Sequence, residues 1–386
     1  MKYFYSKKLF SYFLVISPVF AAAQNANTSI NGSSNAIATA VPFLNITPDS
    51  RSGAMGDAGV ALSPDVNANY WNPAKLTFLE SNNDISISYN PWLRHLVPDV
   101  SLSYLSYAHK LDDRNSFGAS LRYFNLGSIQ RVDQFQNYQG TDNPSEFSVD
   151  GSFARKFGEN LSLGLTVRYI YSNFSNADFV SGSGQQVKPG NSLSAGVSLY
   201  YTKAYGDNSI FSFGTNISNI GSKISYSNSG QRYFLPANLK IGAANTWNLD
   251  DVNKLTLTLD INKLLVPAPV ITTDENGNTV VDRREDLSVP GSIFTSFGNA
   301  NGLQELTFSP GVEYWYNNMF ALRGGYLYEN PDKGGRHYAT LGLGFKYKNY
   351  MFDFSYLAAS QQNSPLANTL RFTLSTSFGG SNNASK

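Results

Sequence analysis

The chain has 386 residues, with 29 Lys+Arg against 28 Asp+Glu and no Cys. A formal charge of +1 without a basic block gives no footprint for nucleic acid, and the lack of Cys excludes disulfide frameworks, thiolate nucleophiles, zinc knuckles and a lipidated N-terminal cysteine. Charged residues are only 15% of the chain, against roughly 25% in a typical soluble domain, and a hydrophobic share of 41% is too low for a helical membrane protein.

The first element in chain order is a secretory signal. Lys2, Lys7 and Lys8 precede an apolar stretch from Leu9 to Phe20, and Ala21-Ala22-Ala23-Gln24 follows. That order of charged, apolar and small residues predicts cleavage after Ala23, giving a signal peptide over 1–23. Its loss takes three positive charges and brings the mature chain to −2. The apolar stretch is too short for a span of roughly 20 residues. No later stretch approaches such a length, so any membrane crossing must use strands.

Residues 24–83 form an extension before the first strand. Its first dozen residues are rich in Asn, Ser and Ala; then comes Val41–Ala61, which contains Gly53, Gly56 and Gly59 at a spacing of three. The spacing alone hints at a phosphate loop, but neither a preceding apolar strand nor a following helix supplies the context. A compact plug, with glycines where backbone packs closely against a wall, needs fewer coincidences. Asn72-Pro73 marks a turn, and Ala74–Leu79 suits one short helical turn.

From about residue 84 the chain alternates. Leu161, Leu163, Leu165, Val167, Tyr169 and Tyr171 share one face, with Ser162, Gly164, Thr166, Arg168 and Ile170 on the other. The same period recurs in Leu255–Ile261, Leu341–Tyr347 and Leu370–Phe378. Apolar residues on one face against Gly, Ser, Thr and a few charges on the other describe lipid outside and a polar lumen inside. Fourteen segments result: 84–91, 100–109, 115–124, 146–157, 160–173, 192–205, 209–218, 237–247, 253–264, 304–316, 319–328, 337–347, 350–359 and 368–378. Tyr and Phe collect near segment ends, as an interfacial aromatic girdle would. The expected fold is all-β: a fourteen-stranded antiparallel transmembrane β-barrel over 84–378, with an N-terminal plug over 24–83 and a tail over 379–386.

Connection lengths agree with that count. Links after even-numbered segments are short and polar, as at Gly158–Glu159 and Asn317–Asn318, whereas those at 125–145, 174–191, 219–236 and 265–303 are long. Short periplasmic turns and long outer loops are the expected asymmetry of an outer-membrane barrel. Within 265–303, Pro267, Pro269, Asn276-Gly277, the run Asp282–Asp286 and Pro290-Gly291 read as turns rather than strand. Phe135, Tyr138, Phe179, Tyr226, Tyr233 and Phe234 are residue types suited to protein contact, and they lie in the long loops.

The run Pro48-Asp49-Ser50-Arg51…Met55-Gly56-Asp57…Gly59-Val60-Ala61, followed by Tyr70-Trp71-Asn72-Pro73-Ala74-Lys75-Leu76, resembles the opening of the PorV family. These are outer-membrane proteins of the type IX secretion system in the Bacteroidota. Asn72-Pro73-Ala74 also resembles an element of the broader FadL-type barrels, which have fourteen strands and an N-terminal plug. The resemblance marks Asp49, Arg51, Gly53, Met55, Gly56, Gly59, Asn72 and Pro73 as the plug motif. It implies a non-enzymatic carrier that binds the C-terminal targeting domains of secreted cargo at the type IX translocon barrel. Such a carrier delivers its cargo to a cell-surface attachment complex that includes a sortase-like protease. A FadL-like importer of hydrophobic small molecules is the competing expectation.

Catalysis finds little support in the residues. A hydrolase needs a nucleophile with its base in hydrogen-bond reach, and no pattern ties His95, His109 or His337 to a Ser and an acid. Carboxylates are scattered without metal-ligand spacing, and no cofactor is expected.

Overall fold

The structure is a computed structural model that describes residues 36–92, 99–132, 135, 137–174, 188–227, 231–274, 278–298, 302–359 and 369–379. The signal segment and most of the tail lie outside these residues, as do His95 and Phe179. No helix is long and apolar enough to cross a membrane among the described residues; the crossing elements are strands.

Eighteen strands are formed among the described residues: β1 Asn83–Pro91, β2 Val100–Lys110, β3 Asn115–Leu126, β4 Ile129–Val132, β5 Tyr138–Asp142, β6 Ser145–Lys156, β7 Leu161–Asn173, β8 Gly190–Tyr205, β9 Ser209–Gly221, β10 Asn238–Asn248, β11 Asn253–Leu264, β12 Val270–Thr273, β13 Thr279–Asp282, β14 Leu306–Tyr316, β15 Phe320–Glu329, β16 His337–Tyr347, β17 Tyr350–Ala359 and β18 Thr369–Phe378. Fourteen of them close an antiparallel barrel in the order β1-β18-β17-β16-β15-β14-β11-β10-β9-β8-β7-β6-β3-β2. Each lies within three residues of its sequence-based boundaries. The last strand closes on the first through the register Asn83↔Phe378 to Tyr89↔Phe372.

The alternation in the sequence becomes two faces. Leu165, Val167, Leu257, Leu341 and Leu343 are exposed on the outer wall, while Ser162, Arg168, Thr258 and Thr340 are buried inside. Outward side chains meet lipid, so the lumen can hold the polar groups. The short turns share a recurring chemistry. In Leu111–Asn115 the Asp112 carboxylate accepts from the Arg114 and Asn115 amides at 2.7 and 2.8 Å. Asp250 does the same for Val252 and Asn253 at 2.9 and 2.8 Å.

Two long connections hold regular structure, and in 265–303 this departs from the expectation of turns alone. Residues 125–145 contain the hairpin β4–β5, and 265–303 contain the hairpin β12–β13 and a helix, Val289–Ser296. Pro290 occupies the first turn of that helix, where a missing N–H costs nothing, and Ser288 caps it by accepting from Gly291 N at 3.2 Å. Pro290-Gly291 therefore starts a helix instead of marking a turn. Asn276-Gly277 lies outside the described residues.

Ahead of β1, residues 40–79 run as short helical turns joined by irregular chain: Pro42–Asn45, Ser50–Gly53, Ala68–Trp71 and Pro73–Phe78. Nearly all of this stretch is buried, packed against the inward faces of the strands.

Candidate functional site

The inner end of the plug motif is an ion network that reaches across the lumen. Arg51 donates through Nε and Nη2 to Glu313 on β14 at 3.0 and 2.8 Å, and through Nη1 to Asp65 at 2.8 Å. Arg323 on β15 donates to the same Glu313 at 2.7 Å and to Asp353 on β17 at 2.6 Å. Three carboxylates and two guanidiniums thus share one cluster, buried apart from the half-buried Asp65, and every pair is charge-assisted. Asp49 caps the helix Ser50–Gly53 by accepting from Ser52 N at 2.9 Å, and its other oxygen accepts from Trp71 Nε1 at 2.6 Å.

Further along, the plug's own backbone is bound by the wall. Asp260 on β11 accepts from the Gly59 and Val60 amides at 2.7 and 2.8 Å. Lys75 Nζ donates to Gly59 O at 2.7 Å. Asn72 caps Pro73–Phe78 and sends Nδ2 to Leu199 O on β8 at 2.9 Å. Pro73 follows it in the first helical position, which its fixed φ suits. Asn69 donates to Ser106 on β2, and Asn216 on β9 donates to Trp71 O, at 2.8 and 2.9 Å.

The glycines permit this proximity. Gly56 has φ +71°, and any side chain there would run into the backbone of Tyr326. It sits where the β14–β15 ladder is interrupted: Phe308↔Tyr328 and Gly311↔Gly325 pair in one register, but Ser309 and Pro310 between them do not. Pro310 has no N–H to give to the ladder. Gly53 lies against Arg371, whereas Gly59 packs on the plug's own Trp71 ring rather than on the wall. Asp57, also left-handed at φ 62°, is held by Tyr338 Oη at 2.6 Å and Arg371 Nη1 at 3.0 Å.

All eight plug-motif residues therefore lie in one buried segment, Met55 beside Gly311 and Gly325 included. The sequence reading missed their partners: Glu313, Arg323, Asp353 and Asp260, and the inward glycines Gly118, Gly164, Gly214, Gly242, Gly311, Gly325 and Gly342. A Cβ on any of these glycines would strike the plug or a neighbouring strand. The available signal was a Gly or a charge at inward register in strands otherwise lined by Ser and Thr.

At the outer rim the candidate contact residues divide. Tyr226 and Tyr233 pack on an apolar cluster that includes Phe43, Phe124, Ile170 and Ile224, and Phe234 is buried. These three serve rim packing. Phe135 and Tyr138 are exposed at 75% and 63%. Lys223 lies over the Phe234 ring and donates to the carbonyls of Glu285 and Leu287 at 2.6 and 2.5 Å, joining two outer loops. Desolvation holds its ammonium below the usual lysine range. Beyond that tie, Phe294, Phe297 and Leu303 are exposed at 77%, 56% and 83%; composition had not singled them out.

The described histidines have structural neighbours. His109 Nδ1 lies 2.8 Å from Asn83 Oδ1, and His337 Nδ1 lies 2.8 Å from Gly335 O. No group of three metal-ligating side chains occurs among the described residues.

Comparison with known proteins agrees with this architecture. The toluene transporter TbuX of Ralstonia pickettii is similar with a TM-score of 0.50 at 15% identity, over 86% of this chain and 98% of that one. The deltaS2S3 mutant of the TodX monoaromatic hydrocarbon channel gives the same four values. A FadL homologue of Pseudomonas aeruginosa is similar at 0.47 and 12% identity, over 86% and 99%. For TbuX and the TodX mutant, at such identities, the likeness is one of fold. The sequence has no match among curated proteins. The family model for type IX secretion system protein PorV matches residues 29–271, covering both the plug and the first strands of the barrel. A motif-bearing plug locked inside a fourteen-stranded barrel, together with that match over more than half of the chain, places this protein in the PorV family of the type IX secretion system.

Proposed function

We propose that this protein is a non-enzymatic outer-membrane carrier that binds the C-terminal targeting domains of secreted proteins at the type IX translocon barrel and conveys them to the cell-surface attachment complex, which includes a sortase-like protease. Family membership supplies the secretion role. The observation that favours binding at the rim is the filled lumen: residues 40–79 are bonded to β2, β8, β9, β11, β14, β16 and β18. No room remains inside for a folded domain.

A specific protein interface buries about 1,200–2,000 Å². The long outer loops, which carry the hairpins β4–β5 and β12–β13 and the helix Val289–Ser296, are the larger surface available for such an interface. The opposite rim offers turns of a few residues. Phe135, Tyr138, Phe294, Phe297 and Leu303 are the exposed apolar groups on which a partner would close.

The test shortens 125–145 or 265–303 in the otherwise intact protein and measures co-purification with a targeting-domain cargo. Both deletions should leave a heat-modifiable barrel in the membrane and weaken cargo capture, while deletion of 25–36 leaves capture intact. Full capture by both loop variants with loss in the 25–36 variant would place recognition on the periplasmic side. A deletion strain separates the importer reading: lost secretion of many targeting-domain proteins supports the carrier, and lost uptake of a single apolar nutrient supports the importer.

A further inference from the structure

At the outer mouth of the barrel the plug leaves a cavity of about 210 Å³. Its walls come from Asn45, Ile46 and Asp57 of the plug and from the outer ends of five strands, including Trp92 just beyond β1, Leu102 on β2, Leu357 on β17 and Arg371 on β18. Arg336 and Tyr338 contribute from the start of β16.

The lining has two poles. Ile46, Trp92 and Leu102 form the apolar one, which carries an indole ring and continues across β18 to Leu357, itself packed with Leu327 and Tyr338. The other pole holds two guanidiniums. Arg371 donates Nη1 to Asp57 at 3.0 Å, and among the described residues its Nε and Nη2 have no protein partner. It is nonetheless only 6% exposed. Arg336 donates Nε and Nη2 to Glu329 at 2.8 and 2.9 Å, with Nη1 left over. A guanidinium is always charged and carries five N–H donors in a planar fork that matches a carboxylate or phosphate. The Asp57 carboxylate is already occupied by Tyr338 and Arg371, so the pole presents spare donors and little spare acceptor capacity.

Size narrows the ligand further. An apolar cavity of about 150 Å³ accommodates one benzene. A space of about 210 Å³ therefore fits one ring, or a short alkyl chain, with an acidic head. A long acyl chain does not fit within that volume and would have to extend out through the mouth.

We propose that the outer mouth holds a binding site for a small amphiphilic anion, its acidic head on Arg371 and Arg336 and its apolar body between Trp92, Leu102 and Leu357. The site is independent of the cargo-carrier reading, because it lies between the plug and the wall instead of on the outer loops.

The test uses the full-length protein in lipid nanodiscs, with 4-ethylbenzoate as the probe and neutral 4-ethylbenzyl alcohol as its match. Calorimetry should show saturable binding of the anion, at least tenfold tighter than the alcohol. Trp92 fluorescence should change on binding, and a Trp92→Phe variant should lose that signal. Leu357→Trp fills the apolar end and should weaken the anion at least tenfold in a barrel that remains heat-modifiable. Arg336→Gln should weaken the anion several-fold and leave the alcohol unchanged. Equal affinity for anion and alcohol, no saturable binding, or undiminished binding by folded Leu357→Trp would each overturn the proposal. None of these outcomes bears on cargo capture, so the two readings fail separately.

Discussion

Single residues decide whether the plug stays seated. Glu313 is the hinge of the ion network, since it accepts from both Arg51 and Arg323. Replacing it by Leu leaves Arg51 with only Asp65 and Arg323 with only Asp353 as carboxylate partners and removes the carboxylate between the two guanidiniums. Breaking a buried pair outright costs about 3–5 kcal/mol, and the remaining carboxylates offset part of it. The expected outcome for Glu313→Leu is a plug open to protease inside an intact barrel, read as early cleavage between residues 40 and 79; Glu313→Gln should fall between it and the native protein. Gly56 gives a test of backbone shape without charge. Its positive φ and its closeness to Tyr326 leave no room for a methyl group, so Gly56→Ala should unseat the plug. Gly151 has nothing within reach of an added Cβ, and Gly151→Ala should behave like the native protein in the same assay.

Strands carry the membrane contract, and their two faces respond differently. Leu257 and Leu343 are exposed on the outer wall, with Phe372 beside them in face. Arg at each should lower barrel stability by about 2–4 kcal/mol if the site lies near the bilayer midplane, measured as the folded fraction in urea titrations by heat-modifiability. Arg at the neighbouring inward positions is no milder. Gly344 faces Met351, Arg323 and Asp353 of the wall, and Thr373 accepts from Ser50 N of the plug at 2.9 Å, so wall side chains at the first position and the plug at the second occupy the space a long side chain would need. Turns have their own signature. Asp112 and Asp250 are held below the usual carboxylate range, first by the Asn115 and Asn253 side chains. A carboxyl depressed in the folded state stabilises above its unfolded value, and that contribution vanishes as pH falls through the folded one. The thermal midpoint should therefore drop between about pH 5 and pH 3, and drop less in an Asp112→Asn/Asp250→Asn double variant. Barrel strands were legible because nine or more alternating residues reveal which face meets lipid. Strands β4, β12 and β13 have four residues each, too few for a period to emerge, and Pro290-Gly291 disguised the helix at Val289. The plug was legible as a motif, but its partners were not: Glu313 and Asp260 look in sequence like any inward polar residue, and only closure of the sheet brings them to Arg51 and Gly59.

Taken whole, the molecule is a barrel turned inside out, with exposed Leu and Tyr outside and an ionic, hydrogen-bonded interior. A lumen so filled should pass little current: in planar bilayers the intact protein is expected to show no steady conductance, and removal of residues 40–80 should open it. A large constant current from the intact protein would contradict the seal. The same enclosure governs how the chain can be built. Ser50 is bonded to Thr373, 323 positions away, and Gly56 to Thr340, 284 positions away. Each such contact waits for strands synthesised long after the plug, and contacts of large sequence separation slow folding. Once β1 has paired with β18, no opening in the wall admits forty residues of folded chain from the side. The N-terminal segment, bonded to strands all round the lumen, is therefore expected to be in place before the final seam zips, so that the sheet is wound around it as around a mandrel, and barrels that lack it should close more slowly.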